Sequence, residues 1–131
     1  MGIRMIALIC WLLIPLTNAF ADAWIIERLK LPIDHLVEFI FRGMFAIVYG
    51  AIVFDAQSGT HGAMVILYEV TSFYVVFELA LNLLRRRPWN YLGNTASLDK
   101  FLAKRRPIYY LLKLISVAGA VLAGAYLYGG I

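Results

Sequence analysis

Apolar positions in this chain run in long blocks rather than in alternation. Four blocks stand out, at residues 3–20, 36–54, 62–84 and 108–131. Each is close to the roughly 20 residues that an α-helix needs to cross a bilayer's hydrocarbon layer. Backbone groups facing lipid find no water to bond, so the helix, which satisfies them internally, is the default state for all four. The pattern predicts an all-α fold: a polytopic helical membrane protein forming one domain over 1–131, with four transmembrane helices, the first signal-anchor-like.

The intervening segments have their own order. Residues 22–34 mix charges with Trp24, Ile25, Ile26, Leu29 and Leu31, a composition suited to a short interfacial helix that Pro32 ends. Residues 55–61 form a polar stretch rich in turn formers, which makes the second and third helices an antiparallel hairpin. In 85–106, Pro88 stops the third helix, Trp89 and Tyr91 suit an interfacial belt, and Gly93 and Asn94 supply a turn. Ser97 is placed to cap a short amphipathic helix with Leu98, Phe101 and Leu102 on one face and Lys100 and Lys104 elsewhere. Pro107 suits the first turn of the last span.

Composition sharpens the solvent question. Of 131 residues, 63% are hydrophobic and 15% charged, and the mean hydropathy is +0.79. Soluble domains carry about 25% charged residues, and a domain this small leaves much of its surface exposed. The excess apolar surface is expected to face lipid. Cys10, the single cysteine, reads as an apolar filler with no partner for a disulfide or a thiolate metal site.

The net charge of +4 hides a strong asymmetry. Seven of the twelve basic residues fall in 85–106: Arg85, Arg86, Arg87, Lys100, Lys104, Arg105 and Arg106. With Asp99 the only acid there, the segment sums to 7 − 1 = +6. Positive loops stay in the cytoplasm, so this loop is expected there, in an inner (plasma) membrane of the bacterial type. Residues 22–34 then share its side and the N-terminus lies outside. Ala19-Phe20-Ala21 resembles a signal-peptidase site after an apolar run. Cleavage there would put the +6 segment on the wrong side, so an uncleaved first span is the expectation. Topology setting and contact with anionic headgroups account for the basic loop; nucleic-acid binding is not expected, since no recognition fold is visible.

The sharpest chemical signal is the set of ionisable residues inside the spans, where charges are costly and turn inward. Glu38 and Arg42 lie four apart on one helix and can pair. Arg42, Glu78 and Lys113 each fall about six or seven residues from the basic side, roughly 9–10 Å deep at 1.5 Å per residue. Glu38, Arg42, Glu78 and Lys113 therefore predict one polar layer without net charge, either a clamp between helices or an ion gate.

Glu69 lies about two turns from the opposite end of the third helix, with no base at matching depth. Nine residues separate it from Glu78, so the two point to opposite faces and the third helix is expected to pack centrally. Two readings remain for Glu69: a neutral carboxyl hydrogen-bonded to a neighbour such as Tyr49 or Tyr126, or a proton or cation site fed by His61. The last span carries small residues at close spacing: Ser116, Gly119, Ala120, Ala123 and Gly124. Such a ridge permits close helix approach, within one chain or between copies. Gly43, Ala46 and Gly50 offer a similar groove on the second helix.

No zincin, nucleophile-elbow, phosphate-loop or dinucleotide motif is present. His35 and His61 lie in segments expected on opposite sides of the membrane. No catalytic residue, cofactor or metal site is expected. The leading expectation is a small non-enzymatic membrane protein acting by association, as an accessory subunit of a larger complex or as a homo-oligomer. Its partners would be anionic lipid headgroups and other membrane subunits or itself. A proton or ion channel, or a holin-like pore, built on Glu69 and the polar layer is the alternative. A third class is an adaptor that recruits a soluble protein through its basic loop.

Overall fold

A computed structural model describes residues 3–31, 35–53, 59–92 and 97–129. Their regular structure is all helical, without strands among the described residues: α1 (Ile3–Trp24), a π-helical turn (Ile25–Leu29), α2 (His35–Val53), α3 (Gly59–Leu84), α4 (Ser97–Lys104) and α5 (Arg106–Gly129). Among the described residues, three stretches are long and apolar enough to cross a membrane: Ile6–Leu29, Gly59–Leu84 and Arg106–Gly129. The apolar stretch found in α2, Ile40–Gly50, is shorter. The turn expected at Gly93 and Asn94, and residues 54–58 of the polar stretch between the second and third helices, lie outside the described residues.

The helix α3 is the hub, packing against α1, α2 and α5. Its polar residues on both faces require this, because each must meet protein rather than lipid. Leu8 and Trp11 of α1, Ala46 of α2, Val65, Phe73 and Phe77 of α3 and Ala123 of α5 share one buried cluster. Trp11 is enclosed between the rings of Tyr49 at 5.2 Å and Phe73 at 6.2 Å. Its indole N–H donates to Ser72 Oγ at 3.2 Å, which removes the cost of burying that donor. Contacts of Trp11 with Ser72 and of Glu27 with Arg85 run in the same chain direction, so α1 and α3 are parallel.

Small residues set the remaining approaches. A β-carbon at Gly119 would come within 3.0 Å of Thr71 Cγ2, and one at Gly124 within 3.4 Å of Tyr68. Together with fully buried Ala123, they seat α5 on α3, so this part of the ridge serves packing within the chain. Ser116 and Ala120 beside them are half-buried. On α2, Ala46 and Gly50 are buried, while Gly43 faces open space.

The ends of α1 and α3 differ from the expected boundaries in informative ways. The helix α1 continues through Asp22 to Trp24, where an interfacial segment was expected from residue 22. Asp22 is in phase with Leu8, Trp11, Pro15 and Ala19 on the buried face, and its pairing described below favours continued helix. Pro15 within α1 lacks a donor; just above it, Thr17 and Asn18 side chains each donate to the Ile14 carbonyl at 2.9 Å. His61 belongs to the first turn of α3 rather than to a loop.

After Leu84 the chain closes a Schellman turn. Arg87 N–H bonds the Asn82 carbonyl at 2.8 Å and Arg86 N–H bonds the Leu83 carbonyl at 3.0 Å. Arg86 takes the left-handed position at φ 54° that usually falls to glycine. Lys30 does the same at φ 57°, capping the π-helical turn.

Candidate functional site

Five ionisable side chains of the long helices, Asp22, Glu38, Arg42, Glu78 and Lys113, form two joints against α3. In the first, Arg42 Nη2 lies 2.9 Å from Asp22 Oδ2 and 2.9 Å from Glu38 Oε2. Its guanidinium carbon also sits 4.4 Å from the ring centre of Phe77 and 5.6 Å from that of Phe73. One cation thus ties α1, α2 and α3 together, with rings replacing water over its face. Asp22 is only 3% exposed.

In the second joint, Lys113 Nζ lies 3.2 Å from Glu78 Oε2, and Tyr109 donates its hydroxyl to Glu78 Oε1 at 2.8 Å. Lys113 also donates to the Trp89 carbonyl at 3.1 Å and stands over the rings of Trp89 and Tyr109 at 4.8 and 5.1 Å. Asn82 donates to the carbonyls of Trp89 and Tyr91, each at 3.1 Å, fixing the loop that supplies those acceptors. Glu38 thus meets Arg42, and Glu78 meets Lys113. Of the two cations, it is Arg42 that lies against Phe77, the residue next to Glu78.

Glu69 stands apart. It is 0% exposed, and among the described residues neither carboxyl oxygen has a hydrogen-bond partner. Its Oε2 fills the space over Gly50, where a β-carbon would lie 3.0 Å away. Neither expected tyrosine bonds this carboxyl among the described residues. Tyr49 donates to the Ala7 carbonyl at 3.1 Å, and the Tyr126 ring lies 6.5 Å from that of His61. His61 is two turns along α3 from Glu69, with buried Val65 between them.

Comparison with protein-family models, with curated proteins and with solved structures finds no match. The residues themselves therefore carry the argument. Among the described residues, no group of three or more His, Cys, Asp or Glu side chains could hold a metal ion.

Sequence reasoning missed Asp22, Glu27 and the Tyr109 hydroxyl that bonds Glu78. Asp22 was visible in the repeat of Leu8, Trp11, Pro15 and Ala19, which it continues. Glu27 bonds Arg85 Nε at 2.9 Å, and nothing local marks that partner, which lies 58 residues away. Of the other basic-loop residues, Arg86, Arg87, Lys100, Lys104, Arg105 and Arg106 are exposed.

Proposed function

We propose that this chain is a non-enzymatic integral membrane protein that acts by association in the bilayer plane, as an accessory subunit or as a homo-oligomer. In this reading α2 joins the three long helices as a fourth span. The basic loop lies in the cytoplasm of a bacterial-type inner membrane, and the first helix is retained. One observation supports association above the others. The helix α5 is the least enclosed of the three long apolar helices. Small residues fix one face of it to α3, while Leu111, Leu114, Ile115, Val121 and Leu122 remain uncovered. Retention of α1 is supported by Leu8 and Trp11, whose loss would strip the cluster on α3.

The test is the mass of the full chain extracted in a mild detergent, by light scattering or native mass spectrometry. Association requires a particle heavier than one 14.8 kDa chain. A strict monomer with no co-purifying protein overturns the reading.

A second reading, a proton or ion pathway, is favoured by one specific observation: Glu69 is buried without a hydrogen-bond partner among the described residues. Flux into liposomes that is present in the wild type and lost in Glu69→Gln would support it. Two equally inert proteins would dispose of it.

A further inference from the structure

We propose that the short helix α4 and the Schellman turn at Arg86 form a binding surface for anionic phospholipid headgroups. The inference rests on the membrane reading of the long helices, but not on association.

The residues of α4 divide by exposure. Leu102 is buried against α5, so it anchors the helix. Leu98 and Phe101 point outward at 55% and 48% exposure, although both are strongly apolar. Lys100, Lys104 and Arg105 are exposed beside them, and the Arg105 guanidinium carbon lies 5.4 Å from the Phe101 ring centre. Asp99, the segment's one acid, is half-buried. Bases set beside a pair of bare apolar side chains match a membrane surface, which offers phosphate at one level and acyl chain just beneath.

Position selects lipid over a soluble acidic partner. The membrane-crossing α5 begins at Arg106, two residues after α4 ends at Lys104. This holds α4 at the rim, where Leu98 and Phe101 can enter the acyl layer. A soluble partner that bound the bases would leave them bare.

Backbone conformation gives a separate argument. Among the described residues, the non-glycine positions with positive φ are Lys30 and Arg86. Both are exposed bases, and the Arg85–Glu27 bond joins their segments at one end of the bundle. Glycine would relax either position, yet each carries a positive charge. An outlier of this kind points to a task for the side chain.

The experiment uses the full chain in detergent, titrated with phosphatidylglycerol or phosphatidylcholine, with retained lipid counted by native mass spectrometry. Wild type is expected to retain phosphatidylglycerol preferentially, and added salt should erode that preference. The triple variant Lys100→Gln, Lys104→Gln, Arg105→Gln should lose roughly a hundredfold of the preference, from about fivefold per base. The charge-keeping variant Lys100→Arg, Lys104→Arg, Arg105→Lys should retain it, which separates lost charge from lost folding. Equal retention of the two lipids by wild type overturns the proposal. So does a preference that the triple variant leaves unchanged, or an acidic protein that co-purifies through the same bases without lipid preference. A chain that stays folded and dissolved without detergent would instead overturn the membrane reading beneath it.

Discussion

The carboxyl of Glu69 occupies the space that the absent side chain of Gly50 leaves open, with Oε2 3.0 Å from where a β-carbon would stand. Val65 Cγ1 closes the same gap at 3.1 Å. Because Glu69 is fully buried, its carboxyl has little room to withdraw. Gly50→Ala is therefore expected to destabilise the bundle by about 1–3 kcal/mol, the usual range for overpacking. Thermal unfolding in detergent measures this. In Glu69→Ala the penalty of Gly50→Ala should fall, with Val65 still in contact, and a double-mutant cycle without coupling would refute the contact.

Glu69 itself is a stability liability. A buried polar group without a partner costs about 1–3 kcal/mol, and an apolar residue of similar shape removes that cost. Glu69→Met is expected to raise the unfolding midpoint in detergent. A lowered midpoint would mean that the carboxyl contributes to holding the helices together.

Arg42 should behave in the opposite way. Its removal leaves Asp22 and Glu38 facing the same site, with Asp22 4% exposed in its side chain. Arg42→Met is expected to destabilise by about 3 kcal/mol. Adding Asp22→Asn should recover part of the loss, because an amide is cheaper to bury than a carboxylate. Sensitivity of Arg42→Met that is independent of residue 22 would count against the joint.

At the end of α3, Arg86→Gly should relieve the left-handed backbone and stabilise the protein by roughly 0.5–1 kcal/mol. The branched Arg86→Val should destabilise it, since a β-branched side chain tolerates positive φ poorly. Chemical denaturation of the two variants provides the check, with opposite signs expected.

Helix identity and the central place of α3 were legible in the sequence, the first from block length and the second from periodicity. Apolar blocks mark the helices, and Glu69 and Glu78 on opposite faces require neighbours on both sides. The Glu38–Arg42 pair was legible because it is local, whereas equal depth put Arg42 and Lys113 alike at the level of Glu78 and did not select Lys113 as its partner. Asp22 was assigned to an interfacial segment because charge near a helix end usually marks the boundary. Its phase with Trp11 and Ala19 carried the contrary signal. The neighbourhood of Glu69 could not be read in advance, since the Gly50 contact joins two helices through the absence of a side chain. The small residues of α5 announced a close approach, but not that Thr71 and Tyr68 would receive Gly119 and Gly124.

The Trp11–Ser72 bond also has a temporal side. The donor and acceptor are separated by 61 residues, and chains are synthesised at about 5–20 residues per second. For roughly 3–12 s of translation, α1 must wait with its indole N–H unanswered, while Asp22 meets Arg42 after only 20 residues. The nascent protein thus gains its first interhelical ion pair well before its aromatic centre can assemble.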